Sequence, residues 1–174
     1  TLANSNYEIN LVSQNFAITP RAVTLSANSV SKTYGSADPT LSVAVTSGSL
    51  ASASVTDTLS EVTGTLSRAT GSDVGNYAIS LGSGAKASNY DITYVPANLT
   101  INKARLVVTG TKVYNGEIEF EAANLTVTGV LGQSFAVSGS ATMQTKNVQT
   151  AQALANVNGL TITANGNGVL SNYE

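Results

Sequence analysis

The residues of this chain that could carry acid–base chemistry are few. Histidine and cysteine are absent from its 174 residues, which removes the commonest general bases, nucleophile partners and transition-metal ligands. Hydrolysis of a glycosidic bond needs two carboxyl groups that face each other across a cleft, and Asp57, Glu61 and Asp73 form the loose acidic cluster that the sequence offers for it. We interpret these three as solvated loop acids, and we predict a protein that is not an enzyme, without catalytic residues or a cofactor.

A second acidic group could bind a metal ion. Glu117, Glu119 and Glu121 alternate with Ile118 and Phe120, so the carboxylates would share one face of a strand. Ca²⁺ takes about six to eight oxygen ligands, and one strand cannot supply that shell. We interpret the three glutamates as a solvated face and predict no metal site.

Two lysines each lie two residues before the tyrosine of a glycine-containing turn. These are Lys32, before Tyr34-Gly35, and Lys112, before Tyr114-Asn115-Gly116. One interpretation is an autocatalytic isopeptide bond to an Asn beside an acidic residue. The interpretation that we favour is a lysine whose aliphatic stem covers apolar surface while its ammonium group stays in water.

Exposed aromatic rings could stack on sugars. Most of the seven tyrosines fall at alternating strand positions, which predicts that they are core residues. Tyr94, together with Pro96 beside it, lies at a bend, and this pair is our candidate contact for a ligand, either a carbohydrate or a host protein.

The elements that must position these residues are strands. Apolar side chains recur with a period of two and are separated by Gly, Pro, Asn and Asp turn signals, at Leu41/Val43/Val45, Tyr77/Ile79/Leu81, Tyr90/Ile92/Tyr94, Ile118/Phe120, Leu125/Val127 and Leu160/Ile162. Only residues 50–59 and 151–155 are compatible with a short helix.

The chain repeats itself. The phrase SNYEINLVSQNFAITPRAVTL begins at Ser5, its counterpart SNYDITYVPANLTINKARLVV begins 83 residues later at Ser88, and SNYE begins a further 83 residues on at Ser171. In both long copies the apolar positions switch parity, from odd to even in the first copy and from even to odd in the second, which predicts a bend near Ser13 to Asn15 and near Pro96 to Asn98. The spacing predicts tandem domains of about 80 residues each, in the size range that can fold alone.

Composition and charge exclude several partners. The net charge is −2 and the eight Lys and Arg residues are scattered, so we predict no nucleic-acid binding, which needs clustered Lys and Arg. The sequence has no apolar run long enough to span a bilayer, so we also predict no membrane insertion. A surface rich in Ser, Thr, Asn and Gly suits an exported bacterial protein.

Three stretches between Arg21 and Asn102 carry a family resemblance. They are SKTYGSADPTLSVAVTSG, TGTLSRATGSDVGNYAISLG and NYDITYVPANLTI, and together they resemble the MBG repeat of large bacterial surface adhesins. The stretch from Lys103 onward, with KVYNGE and GSATMQTKNVQTAQALANVNGLTI, is similar to the companion YDG repeat. Such repeats occur in filamentous-haemagglutinin-like adhesins, so the resemblance implies an extracellular stalk or spacer at the bacterial cell surface.

The fold expectation is all-β, with two small domains in tandem. Asp73-Val-Gly-Asn-Tyr77 has the arrangement of a tyrosine corner, which favours an immunoglobulin-like sandwich, and a β-grasp (α+β) sheet with one short helix is the alternative. We expect residues 1–20 to be the closing strand of a preceding repeat, 21–102 the MBG-like domain and 103–174 a YDG-like domain without its last strand.

This arrangement predicts partners as well as function. The function that we expect is non-catalytic spacing within an adhesin, and the alternative is a module that binds a carbohydrate or a host protein. The expected partners are neighbouring repeats of the same chain. Strand donation could also join chains head to tail, through Tyr7, Ile9, Leu11, Phe16 and Ile18.

Overall fold

The computed structural model describes residues 14–53 and 56–174, and nearly all of its regular structure is β-sheet, as predicted. For description, residues 14–102 are called the first half and residues 103–174 the second half. The strands of the first half are β1 (Arg21–Ala27), β2 (Val30–Thr33), β3 (Val43–Gly48), β4 (Ser67–Arg68), β5 (Gly75–Ser80), β6 (Tyr90–Val95) and β7 (Asn98–Asn102). Those of the second half are β8 (Val107–Gly110), β9 (Glu119–Glu121), β10 (Leu125–Thr128), β11 (Ser134–Thr142) and β12 (Leu160–Asn165).

In the first half, the first and last strands run side by side in the same direction. β1 lies between β3, which is antiparallel to it, and β6, which is parallel. β7 lies between β2, which is parallel to it, and β5, which is antiparallel, with β4 beyond β5. The alternation of apolar residues did not predict these parallel pairs, because alternation along one strand carries no information about its partner.

The predicted bend in the closing strand is confirmed. β6 ends at Val95 and β7 begins at Asn98, so Pro96 and Ala97 interrupt the ladder. The side chains of β6 pack into one cluster, around Val23, Leu25, Val62 and Tyr90. Those of β7 pack into another, in which Leu99 and Ile101 are 0% and 1% exposed. The matching bend near Ser13 to Asn15 falls partly outside the described residues.

The single α-helix among the described residues, α1, spans Leu59–Thr63. It begins where the window of residues 50–59 ends, because Thr58 and Glu61 form a capping box that fixes the first turn. It ends at Gly64, whose φ is 63°. Residues 151–155 form no helix, contrary to the second window; that stretch is barely long enough for one turn.

The second half repeats the start of the first. β8 pairs antiparallel with β10, as β1 does with β3, and β11 pairs with β10, β12 and β9. Ala104 forms an isolated parallel bridge with Tyr173, and Arg21 pairs in parallel with Tyr90. Ala104 lies 83 positions after Arg21, and Tyr173 lies 83 positions after Tyr90. The sequence repeat is therefore also a repeat of strand pairing.

One hydrophobic cluster joins the halves. Every pairing between named strands lies within one half, yet the buried residues of this cluster come from both: Tyr34, Leu99, Ile101, Ala104, Val127, Phe135 and Tyr173. The predicted boundary at residues 102 and 103 therefore coincides with a packed contact.

Candidate functional site: the junction between the halves

Three aromatic rings form the centre of the junction. Tyr34 comes from the turn after β2, and Phe135 and Tyr173 come from the second half. The Tyr173 ring meets Tyr34 edge to face at 5.6 Å between centroids and Phe135 at 5.1 Å, in the geometry that aromatic pairs prefer. Tyr34 and Tyr173 are 5% and 4% exposed, so both rings are core residues although they belong to opposite halves.

Gln133 satisfies the hydroxyl groups of both tyrosines. Its amide nitrogen donates to the Tyr34 hydroxyl (2.9 Å), and its amide oxygen accepts from the Tyr173 hydroxyl (2.6 Å). The backbone N–H of Val130 also donates to the Tyr173 hydroxyl, at 3.0 Å. Burial raises the pKa of Tyr173 above its ordinary value. A buried hydroxyl pair with partners fixes the rings more narrowly than apolar packing alone would.

Asn172 makes a second connection, to the loop before β5. It is 1% exposed; its side-chain oxygen accepts from the backbone N–H of Val74 (2.9 Å), and its amide donates to the Asp73 carboxylate (2.7 Å). The Tyr77 hydroxyl in turn donates to the Asp73 carbonyl (2.7 Å). This bond back to the backbone is the one that the Asp-x-Gly-x-Tyr pattern predicted.

The backbone on both sides of the connection between the halves is hydrogen-bonded. The Asn102 carbonyl accepts from the N–H of Tyr34 (2.8 Å), and the N–H of Ala104 donates to the Asn172 carbonyl (3.0 Å). Glu174 N–H donates to the Ala104 carbonyl at 2.9 Å. Only Lys103 separates these bonded positions, so the end of β7 continues directly into the first pairing of the second half.

An ion network holds the two loops of the first half that reach the junction. Asp38 accepts from the Lys32 ammonium (2.7 Å) and from the Arg68 guanidinium (2.8 Å). Lys32 also donates to the carbonyl of Ser36 (2.8 Å), and Arg68 to that of Gly71 (2.5 Å). The hydrogen bonds from Arg68 and then Lys32 lower the pKa of Asp38 from 3.8 to about 2. Asp38 therefore ties the Tyr34 turn to the loop that precedes Asp73.

Glycine is required where the Tyr34 turn meets the second half. Gly35 has a φ of +85°, and a Cβ there would lie 2.6 Å from Cγ2 of Val130. Both the left-handed backbone and the close approach exclude a side chain. The Tyr-Gly sequence thus supplies a ring for the cluster and leaves room for the neighbour.

The repeated tyrosine makes the same contact in both halves. The Tyr90 hydroxyl accepts from the backbone N–H of Ala51 (2.9 Å) and donates to Asp57 (2.6 Å), as Tyr173 does with Val130 and Gln133. The preceding asparagine differs, because Asn89 is exposed and Asn172 is buried. Asn172 was not a predicted site residue. Its recurrence in each copy of SNY was visible in the sequence, but the equivalent Asn89 is exposed, so the recurrence alone does not predict its burial.

The proposed acidic cluster is divided between two places. Asp57 and Glu61 share the Lys86 ammonium, at 2.6 and 3.2 Å, whereas Asp73 lies at the junction. The pKa of Asp57 is lowered by its hydrogen bond from Lys86 and then by that from Tyr90. The pKa of Glu61 is lowered mainly by the Thr58 backbone N–H. A general acid needs a raised pKa. The pKa values of Asp57 and Glu61 are both lowered, which does not suit that role.

The lysine and glutamate candidates take part in local bonds. Lys112 is 3.0 Å from the side-chain oxygen of Asn115, and it donates to the carbonyls of Glu117 (2.7 Å) and Glu119 (2.6 Å). It therefore braces the Tyr114 turn much as Lys32 braces the Tyr34 turn. In the part of the chain that the structure describes, no group of three acidic residues is placed to hold a metal ion.

The candidate ligand contact lies at the surface of the first half. Tyr94 is half-buried and its hydroxyl donates to the Ile79 carbonyl (2.6 Å), while Pro96 is exposed; burial raises the pKa of Tyr94. An open groove of about 460 Å³ lies elsewhere, beside the junction, and no aromatic ring lines it. Its walls are Val74, Gly75, Asn76, Thr100, Ile101, Asn102, Lys103 and Glu174.

The candidate residues for strand donation lie at the N-terminus. Tyr7, Ile9 and Leu11 fall outside the described residues. Phe16 and Ile18 are described, and their side chains are 94% and 100% exposed. Among the described residues, no helix is long and apolar enough to cross a membrane.

Comparison with known proteins identifies part of the chain. Residues 23–100 match the family model of the MBG domain (YGX type), so the predicted MBG-type repeat is confirmed over this stretch. Tyr34-Gly35, which forms the junction turn, lies within it. No curated protein and no solved structure matches the chain. The similarity of the second half to the YDG repeat stays a prediction.

Proposed function

We propose that this chain is a non-catalytic spacer segment of an extracellular bacterial adhesin, which holds a distal binding region away from the cell surface. The MBG match supports a repeat module of surface proteins, and the geometry of the strands supports the mechanical part of the proposal. The two halves are proposed to be its domains, with the boundary at residues 102 and 103.

The parallel pairing of the first and last strands is the observation that carries the proposal. β1 pairs with β6 from Arg21–Tyr90 to Ser26–Val95, and β2 pairs with β7 from Val30–Leu99 to Thr33–Asn102. The chain enters at one end of this ladder and leaves at the other. Tension along the chain therefore slides paired strands past each other, and all their hydrogen bonds bear load together instead of one after another.

The junction supports the same role. A short linker of flexible residues would let two domains move independently, but here Lys103 is flanked by backbone hydrogen bonds, and the aromatic cluster and Asn172 add contacts on two sides. We expect the halves to keep one relative orientation under thermal motion, which a spacer needs in order to hold its length.

Single-molecule pulling in two directions tests the mechanical proposal. Because the chain contains no cysteine, handles can be attached at Pro20→Cys and Lys103→Cys, at opposite ends of the ladder. A second pair, Pro20→Cys and Ser88→Cys, places both handles at the same end of the parallel strands. We expect the first pair to need a clearly higher unfolding force at the same loading rate, since the second peels the ladder bond by bond.

Equal forces for the two handle pairs would contradict the load-bearing role.

A binding module remains the alternative, but the described surface gives it little support. The groove beside the junction has no aromatic lining, and the hydroxyl of Tyr94 is already bonded to Ile79.

A further inference from the structure

One edge of β8 is unpaired among the described residues. Thr111 N–H donates to the Asn124 carbonyl, and this register directs the backbone groups of Val107 and Thr109 toward β10. Because these groups alternate in direction along a strand, the N–H and C=O of Val108 face away from β10. The last bond on that side runs from Leu106 N–H to the Glu174 carbonyl (3.4 Å).

The corresponding edge in the first half is filled by β6. Val23 and Leu25 of β1 stand opposite Ile92 and Tyr94. The Ala104–Tyr173 bridge begins the same ladder in the second half, in the register that the 83-residue repeat requires. A strand continuing along β8 would therefore place residues equivalent to Ile92 and Tyr94 opposite Leu106 and Val108.

The N-terminal phrase contains such a strand. By the same 83-residue offset, Ile9 and Leu11 are the equivalents of Ile92 and Tyr94. Farther along, Phe16 and Ile18 are the equivalents of Leu99 and Ile101. The latter two are 0% and 1% exposed, whereas Phe16 and Ile18 are 94% and 100% exposed. Burying these two apolar side chains against a partner removes their surface from water, which favours association.

Apolar surface is also exposed on the receiving half. Gly110 to Val113 precede the Tyr114 turn as β2 precedes the Tyr34 turn, and β2 is covered by β7. Val113 and Tyr114 are 90% and 58% exposed. A strand equivalent to β7 would lie beside them.

We propose that the free edge of β8 binds, in parallel, the segment from Ile9 to Ile18 of a second copy of the chain, beginning just after the position that Tyr173 and Glu174 already fill. Ile9 lies opposite Leu106 and Leu11 opposite Val108, and Phe16 and Ile18 cover the surface near Val113 and Tyr114. Among the described strands the receiving edge lies in the second half and the donor segment precedes β1, so two different surfaces meet; the contact is therefore heterologous and builds rings or open fibres. The proposal needs the repeat and the edge, and does not depend on the spacer role.

A second copy is the occupant because of where the donor is attached. Arg21 begins β1, whereas Tyr34 follows the end of β2, and Tyr34 contacts the second half. With Ile18 near Val113 and Tyr114, only the chain from Ile18 to Arg21, at most about 10 Å, would be left to span the first half, whose closing strands run from Tyr90, opposite Arg21, to Asn102, opposite Thr33. To fill the edge of β8 in its own chain, the donor segment would have to run the length of the first half and then continue past Ala104.

Light scattering over a concentration series tests the proposal on the 174-residue chain. We expect the average mass to rise from the monomer value of 17.7 kDa to more than twice that value. In a longer chain that continued the repeated phrase after Glu174, those residues would compete with the second copy for the edge of β8. The experiment therefore uses the 174-residue chain. The variant Ile9→Asp/Leu11→Asp should stay monomeric, because it places charges at the two positions that face the core.

The matched control is Asn10→Asp/Val12→Asp. It introduces the same two acidic side chains at positions whose equivalents, Thr93 and Val95, are exposed. We expect it to assemble like the parent chain. A parent chain that is monomeric at every concentration, or multimers that survive Ile9→Asp/Leu11→Asp, would overturn the proposal.

Amide hydrogen exchange identifies the edge within each sample. The N–H of Val107 bonds toward β10 and should be protected at all concentrations. The N–H of Val108 should become protected only as multimers form. Protection of Val108 that does not change with concentration would mean that the chain fills its own edge, and this result would refute the assignment to a second copy.

Discussion

At the scale of single residues, Asp38 connects two loops of the first half. Its carboxylate forms ion pairs with Lys32, which lies in the strand before the Tyr34 turn, and with Arg68, which lies in β4. Arg68 also lies over the Tyr77 ring, with its guanidinium carbon 5.0 Å from the ring centroid. One acidic side chain therefore positions both loops that contact the second half, although it does not itself lie in the aromatic cluster.

We expect Asp38→Asn to lower stability at neutral pH and to lose that effect in acid. The folded-state pKa of Asp38, about 2, lies below the ordinary value of 3.8, so its stabilisation is fully present above 3.8 and disappears as the pH falls toward 2. Urea midpoints of the parent and the variant should differ at pH 7 and converge between pH 3.8 and 2.

The control for this titration is Asp91→Asn, which removes the same charge from an exposed position of β6. It should change the midpoint little at any of these pH values. If Asp38→Asn keeps its full effect at the acid end, then lost charge pairing is not the cause of its instability.

At the scale of elements, α1 shows how local chemistry decides a boundary. Thr58 accepts from the N–H of Glu61, whose carboxylate accepts from the N–H of Thr58 (2.8 Å). The helix that follows has only five residues, and it buries Val62 and Thr63 to 1% and 3% exposure. A helix this short is not stable by itself, so the cap and the packing must act together.

We expect Thr58→Ala to destabilise the chain by about 1 kcal/mol, the usual effect of removing a capping side chain. Equilibrium urea unfolding measures this difference. Thr56→Ala is the matched control, since Thr56 is exposed and lies outside the helix, and it should unfold like the parent chain. Equal losses in the two variants would show that the capping box does not stabilise α1.

Individual strands and the bend could be predicted from sequence, but their pairing could not. The alternation of Tyr90, Ile92 and Tyr94 and its interruption at Pro96 are local features, and the structure confirms both. The parallel alignment of β1 with β6 depends on contacts between residues far apart in the chain. The repeated tyrosine was visible in the sequence, whereas the burial of Asn172 arises only because a neighbouring loop covers it, as the exposed Asn89 demonstrates.

At the scale of the whole molecule, cooperation between the halves depends on the junction. Both halves contribute to one buried cluster, and the Asn172 side chain satisfies a backbone N–H of the first half. Two domains that share buried contacts unfold as one unit more readily than domains joined only by a linker. The MBG-type stretch is therefore expected to gain stability from the residues that follow it.

We expect Asn172→Ala to cost about 1–3 kcal/mol, because the part-buried N–H of Val74 loses its acceptor. Calorimetry should show the melting transition broaden or divide as the halves unfold separately. Asn89→Ala changes the same residue of the same phrase at an exposed position and should leave the transition intact. Indistinguishable melting of the two variants would contradict the coupling.

The two attachments at the junction also fix its rotation. Asn172 binds the loop at Asp73 and Val74, while Tyr173 and Gln133 meet Tyr34 at a separate point. Turning one half about the long axis would break at least one of these attachments. Each junction of this kind therefore sets the rotation between neighbouring units as well as their separation. In a series of such junctions, each repeat would be rotated by the same angle relative to the repeat before it.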